Sequence, residues 1–366
     1  MVLTKAETWE NFNARVRAEF PDFGCLNSTL SSHTLPLPPE IQTSLVILNS
    51  SWGGDLSADV IAQFNRQRWI RLKDVIPKCL LLAAREHLIT LATKVNKGKD
   101  MSYPVHLPPL CMDATAAAAV WPCVRSEVDV TSAQEYWSTI VATTPLSWNI
   151  QMMWAVDPFI RALVLSPRIG DIVCRLMGCS AVRVYHDNCL FRVPGSQRSR
   201  WHCDDGPNGY MAMKERQVVT VWYPLQRTTP ERGSLVFPTD APGAALPTLN
   251  AWDVAQLSGC PTKEMTEEYD LFAAASLEAH DFLPDEGTYE VGDISIHYTD
   301  CFHCAGPNLT DAVRMIVAVT YFADGCTLRL GGVQKFCPGV AEGQPVNSRF
   351  NPVLPHCYGF REAESV

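Results

Sequence analysis

The chain lacks any long apolar run: nowhere in its 366 residues does a hydrophobic stretch approach the roughly 18 residues that a membrane-spanning helix needs. Basic clusters are missing too. Lysine and arginine number 30 against 39 aspartates and glutamates, a formal charge of -9. That balance argues against a nucleic-acid surface and against docking on an anionic membrane. Charged residues are only 19% of the chain and apolar ones 47%, which excludes a disordered chain and fits a globular one. The opening text, "MVLTKAETWENFNARVRAEF", has no apolar block of the kind an export signal carries, and "REAESV" at the other end matches no peroxisomal address. A cytoplasmic protein with no nucleic-acid and no membrane partner is expected. There is no internal repeat. Cysteine, by contrast, is plentiful, with 14 residues. In a long chain without an export signal they read as buried small hydrophobes and free thiols, not as a disulfide framework.

The texture divides the chain into four stretches. Residues 1–56 read as an N-terminal arm, a short helical pattern followed by the Ser/Pro-rich "STLSSHTLPLPPE", which reads as extended. Residues 57–180 read as a helical support region. In it, "LSADVIAQFNRQRWIRLKDVIP" predicts a helix capped by Ser57, then a strand over the alternating "WIRLKDV". "KCLLLAAREHLITLATKV" has helical spacing, 96–130 reads as a long loop, and "DPFIRALVLSPRIGDIVCRLMG" predicts two helices split at Ser-Pro, the second ending at Gly178. The tryptophans between 121 and 154 are expected to anchor helix packing. Residues 181–335 change to short runs of Val, Ile and aromatics between turns, the pattern of an antiparallel sandwich or barrel. An insert of about 239–290 inside it has little periodicity and reads as a lid or helical insertion. Residues 336–366 form a C-terminal extension.

Chemistry concentrates in "SRWHCDDGPNGY". On a strand, residues two apart point the same way, so His202 and Asp204 share a face while Cys203 and Asp205 share the other. A histidine and a carboxylate on one face supply two ligands of a non-haem iron triad, which keeps open positions for substrate and oxygen. Asp205 becomes the carboxylate if a bulge shifts the register. The second histidine is His297 or His303. After His303 comes a tight turn, "AGPNLTD", then Arg314 at the head of the apolar "RMIVAVTYF". An arginine entering a buried strand needs an anion, and its fork matches both oxygens of a carboxylate.

These pieces carry a resemblance. The order H-x-D in "RWHCDDG", then "TPERG", then G-D-x-x-x-H in "GDISIH", then "HCAGPNLTDAVR" resembles the phytanoyl-CoA dioxygenase (PhyH) family of Fe(II)/2-oxoglutarate-dependent oxygenases. The likeness runs over about 157–323. It implies an α+β chain whose core is a double-stranded β-helix (jelly roll, cupin-like) with N-terminal helices around it. It implies that His202, Asp204 and His303 hold Fe(II) and are catalytic, and that Arg314 holds the distal carboxylate of 2-oxoglutarate. His297 falls where the family often has a further histidine that is not a ligand. The family's lysine segment reads "FRVPG" here, which puts Arg192 at the cosubstrate, with Asn188 on the same strand face and Thr220 as a further contact. Where many relatives have glutamine three residues before the first histidine, this chain has Ser199. The implied reaction oxidises a C–H bond of a small apolar metabolite with O2, by hydroxylation, desaturation or rearrangement, while 2-oxoglutarate becomes succinate and CO2. The carboxylate at Asp204 sets this apart from halogenation, which needs a small residue there.

Other readings stay open at this level. "CFHC" has the C-x-x-C spacing of a zinc or redox site, though no second pair lies nearby. His186 reads as a core or outer-sphere histidine and Trp222 as packing. Arg192, Arg198 and Arg200 suggest a groove for the phosphates of an acyl-CoA, against the acidity of the whole chain; a secondary metabolite is the favoured substrate class. The family allows a homodimer. A non-catalytic metal-binding jelly roll that recognises a ligand is the alternative to an enzyme.

Overall fold

The computed structural model describes residues 39–85, 88, 141–144, 147–155, 158–206, 211, 213–239, 249–263, 266–329, 336–337, 339–348 and 351–355. The loop at 96–130, Trp121, Trp137 and most of the N-terminal arm lie outside the described residues.

Helices lead. Helix α1 (Pro39–Leu48) begins at the last two residues of the stretch expected to be extended. Pro39 opens it, at a position where the missing N–H is no loss and the fixed φ suits a helix. Helix α2 (Ala58–Gln67) starts after Ser57, which has extended N-cap dihedrals but makes no side-chain cap bond. Instead the Ser57 N–H donates to Asp55 Oδ1 at 2.8 Å. Arg68, left-handed with φ 69°, ends the helix, and strand β1 (Trp69–Leu72) follows at once. Residues 78–85 are helical. Helices α3 (Pro158–Val164) and α4 (Pro167–Met177) flank the Ser-Pro break. The Ser166 hydroxyl accepts from the Ile169 N–H, and Gly178 closes α4 in the left-handed conformation.

The remaining strands are β2 (Val141–Thr144), β3 (Ser147–Gln151), β4 (Ala181–Arg192), β5 (Val218–Pro224), β6 (Leu235–Thr239), β7 (Leu283–Glu286), β8 (Ile294–Tyr298), β9 (Cys304–Ala305), β10 (Arg314–Ala323) and β11 (Val353–Pro355). They form a large sheet ordered β1-β8-β5-β10-β4-β3-β2, with β11 also on β4, and a small one ordered β7-β6-β9. All ladders are antiparallel. The two sheets make the expected α+β architecture, a double-stranded β-helix with helices outside. Of the tryptophan-rich text, Trp148 lies on β3, and Trp154, in a 3-10 turn (Met153–Ala155), is fully buried in the main core with residues of α3 and α4.

Period-two alternation sorts the large sheet into two cores. Its outer face sends Val219, Val221, Tyr223, Val317, Val319 and Tyr321 into the main core with α3 and α4. Its inner face turns Trp222, Ile316, Leu190 and Ala318 toward Leu235 and Phe237 of the small sheet, with Trp69 and Tyr289. Truncating a large side chain in either core costs about 2–5 kcal/mol. The insert folds as helices α5 (Ala251–Val254) and α6 (Glu267–Ala279), and its apolar side packs on Cys203 and Phe302. No helix of the described residues is long and apolar enough to cross a membrane.

Candidate active site

Strand β10 sets the register of the inner face. Thr320 lies opposite both Thr220 and His186, Ala318 opposite Trp222 and Asn188, Ile316 opposite Pro224 and Leu190, and Arg314 opposite Arg192. Strand β8 adds His297 beside Thr220. Cross-strand partners share a face. One row across the sheet therefore reads His297, Thr220, Thr320, His186, and the far end of the same face carries Arg314 and Arg192.

His202 and Asp204 approach this face on a strap, and the expectation that they sit within a strand is corrected. Only His202 pairs, as an isolated bridge to His303, and Asp204 falls in a bend. The bridge is complete: His202 N–H donates to His303 O at 3.0 Å and His303 N–H to His202 O at 2.8 Å. Facing still alternates along the strap. Cys203 points outward into the insert's apolar cluster, and the Asp205 carboxylate pairs with Arg329 at 3.1 Å. The ligand-type atoms of His202, Asp204 and His303 lie within 4.8 Å of one another. Among the described residues they are the one group of three that can hold a metal ion.

Local bonds prepare each of the three. His202 Nδ1 lies 2.8 Å from Arg200 O, and His303 Nδ1 lies 3.1 Å from Cys301 O. A carbonyl only accepts, so Nδ1 carries the proton and Nε2 keeps its lone pair for a metal. Asp204 Oδ2 accepts from Thr220 Oγ1 at 3.1 Å, and Thr220 in turn meets Thr320 Oγ1 at 3.1 Å. Thr220, expected at the cosubstrate, thus spends its hydroxyl on Asp204. Burial alone would raise the Asp204 carboxyl; the imidazoles of His297, His303 and His202 around it outweigh burial and hold it well below the usual carboxylate range. Burial first, then the neighbouring imidazoles, pushes His303 well below the usual histidine range, which leaves a neutral ring. His297 is outside the group of three. Its Nε2 lies 3.8 Å from Asp204 Oδ2, too far for a hydrogen bond, and its ring lies 4.4 Å from His303 and 5.3 Å from Phe237.

At the far end, Arg314 is 3% exposed. Its Nη1 donates to Gly233 O at 2.7 Å, while Nε has no partner. Burial, with Arg192 adding to it, pushes its guanidinium well below the usual range. Gly233 explains the glycine of "TPERG". It has φ +78°, and a Cβ there would lie 2.6 Å from Gly306 O. That close approach is what delivers the Gly233 carbonyl to Arg314. Arg192 donates to Gly306 O at 3.2 Å and to Gln197 O. Asn188 Nδ2 meets His186 Nε2 at 3.3 Å, and its Oδ1 is buried without a partner. His186 stacks on Phe336 at 4.4 Å. Asn308 ties the "GPN" turn to the head of β10 through Arg192 O at 3.1 Å and Ala312 O at 2.7 Å.

Two features escaped the sequence reading. Ser199 pins the strap to β9: its N–H donates to Ala305 O at 2.9 Å and its Oγ accepts from Ala305 N–H at 2.7 Å. Arg198, read as part of a basic groove, is paired with Asp270 of the insert at 2.5 Å. The signal for the first was the serine's place beside the motif. The second joins residues 72 apart and left none. Cys301 and Cys304 of "CFHC" are buried free thiols outside the group of three.

The donor set fits ferrous iron: two imidazoles and one carboxylate on one side of an ion. The buried guanidinium with a spare N–H fits a carboxylate. Fold and site together define the class, an oxygenase of the double-stranded β-helix type that uses iron and 2-oxoglutarate. Residues 146–316 match the model of the phytanoyl-CoA dioxygenase (PhyH) family. That match and the group of three donors support a dioxygenase-type oxidoreductase. Solved structures share the fold. The non-haem α-ketoglutarate-dependent carbocyclase SnoK from nogalamycin biosynthesis is 18% identical, with 82% of this chain and 97% of that chain covered and a TM-score of 0.54. The epimerase SnoN, in complex with Fe3+, α-ketoglutarate and nogalamycin RO, is 16% identical, with 81% and 97% covered and a TM-score of 0.51. No curated protein sequence matches.

Proposed function

We propose that His202, Asp204 and His303 hold Fe(II), that Arg314 with Arg192 binds the distal carboxylate of 2-oxoglutarate, and that the enzyme oxidises a C–H bond of a small metabolite. The observation that carries this is the convergence of the three donor groups on the inner face. Bound there, iron with 2-oxoglutarate supplies the oxidising power of dioxygen, with succinate and CO2 as the products of the cosubstrate. The chain's own residues do the rest. Nδ1–H bonds to Arg200 O and Cys301 O keep both imidazoles aimed, and Thr220 fixes one oxygen of Asp204. Arg314, buried in a water-poor end of the cup, offers a fork to a carboxylate. Trp222, Phe237, Ile316 and Tyr289 wall the cup with apolar surface that excludes water.

A secondary metabolite suits the site better than an acyl-CoA. Of the basic stretch that a CoA would need, Arg198 is tied to Asp270 and Arg192 to backbone carbonyls. The two structural relatives belong to nogalamycin biosynthesis, which supports the same reading. Anaerobic addition of Fe(II) and then 2-oxoglutarate to the apoprotein should produce a weak visible charge-transfer band, and admission of air should yield succinate. A protein that takes up Fe(II) equally well after His202→Ala and His303→Ala has its metal elsewhere, and the proposal fails.

A further inference from the structure

The insert between β6 and β7 packs on the neighbours of the metal ligands. Ligand side chains and their neighbours alternate. His202 and Asp204 face inward while Cys203, between them, enters the cluster of Tyr269, Ala273 and Leu277 from α6. His303 faces inward while Phe302, beside it, enters the same cluster. The insert also bonds the backbone of the segment that leads to His303. Ala251 N–H donates to Asp300 O at 3.0 Å, and Asn250 bridges Cys301.

The polar centre of this contact is Asp270 on α6, which is 6% exposed. Its Oδ1 accepts from Trp201 N–H at 2.7 Å, one residue before His202, and from Arg198 Nη1 at 3.0 Å. Its Oδ2 accepts from Arg198 Nη2 at 2.5 Å. A carboxylate this deep persists only because three donors satisfy it. In return it fixes the strap at its start, where no ladder does so. Without it the Trp201 N–H loses its acceptor, and the start of the strap is held by Ser199 and the bridge at His202.

We propose that Asp270 is a positioning residue for the metal centre: through Trp201 and Arg198 it holds the His202–Asp204 strap in its metal-binding conformation, so the insert sets the affinity for iron. This rests on the assignment of His202, Asp204 and His303 as ligands. Outer partners of metal ligands typically carry about 10–100-fold in affinity.

The test is calorimetric titration of the full-length apoprotein with Fe(II) alone under anaerobic conditions. Asp270→Asn keeps an acceptor for Trp201 and loses the charge; Arg198→Gln removes the pair from its half-exposed side and keeps Asp270. Affinity for Fe(II) should fall about tenfold in Asp270→Asn and severalfold in Arg198→Gln. At saturating iron the KM for 2-oxoglutarate should stay as in the wild type, an outcome that general loosening of the fold would not give. Fe(II) affinity within twofold of wild type in Arg198→Gln and in folded Asp270→Asn overturns the inference. If Asp270→Asn does not fold, Arg198→Gln decides alone. Undiminished iron uptake by His202→Ala would instead strike the ligand assignment, so the two failures are separable.

Discussion

Arg314 and Thr220 stand on strands bonded along both edges, whereas His202 and Asp204 stand on a strap that pairs at a single residue. On the sheet, position follows from register: once β10 is paired with β4 and β5, Arg314 must meet Arg192, and Thr320 must meet Thr220. On the strap, position depends on individual bonds: Ser199 to Ala305, Trp201 to Asp270, Asp204 to Thr220. Strap residues are thus expected to act on the metal together.

The sharpest test of this contrast is at the ligands. Alanine at His202, Asp204 or His303 should reduce Fe(II) affinity by more than the roughly 100-fold that outer partners account for, with succinate formation lost in parallel. Calorimetry and product analysis read both. Next, Arg314→Leu should raise the KM for 2-oxoglutarate about 100-fold, since truncating one side of a buried charge pair costs about 2–5 kcal/mol. Fe(II) affinity should not change, and a parallel fall would erase the distinction between sheet and strap. Thr220→Val, a sheet residue that serves the strap, should weaken Fe(II) about fivefold through one lost hydrogen bond of about 1 kcal/mol, and Thr220→Ser should restore it.

The last expected effect is on stability alone and concerns Asp205. Burial, only partly offset by Arg329, pushes its carboxyl up to about 7, and Oδ2 has no partner. The folded value lies above the unfolded one of about 4, so the folded state favours the proton. The group is harmless below about pH 4. It destabilises progressively as pH rises from 4 to 7, and its penalty is constant above that. The stability of Asp205→Asn relative to wild type should therefore rise between pH 5 and pH 8 in denaturant titrations of the apoprotein. A flat difference would mean that Arg329 fully compensates the charge.

Much of this was legible in the sequence, for reasons that follow the same contrast. Strands with strong alternation, such as Arg314–Ala323, announced themselves because one side chain in two enters a core. The H-x-D parity argument reached the correct facing although the segment is no strand, because one bridge at His202 suffices to make the chain extended there. Strand β3 stayed hidden. Its text, "SWNIQ", is poor in β-branched residues, and pairing to β4 gives it order that its own propensity does not. Helix α1 was masked by a proline cluster whose last member starts the helix. Asp270 could not be found at all, since a contact between an insert helix and a distant strap has no local period.

The pairing of Arg192 with Arg314 in register carries one more consequence. Two guanidiniums on adjacent strands at one end of the cup repel each other, and Arg314 is held there against its desolvation. If they seat the distal carboxylate of the cosubstrate as proposed, that carboxylate relieves the repulsion only in the folded chain, because unfolding separates the strands. Occupancy and folding are then linked by mass action: each tenfold rise in dicarboxylate above its dissociation constant adds about 1.4 kcal/mol to the native state. The protein's resistance to unfolding becomes a gauge of cosubstrate supply, whether or not a substrate is present to be oxidised.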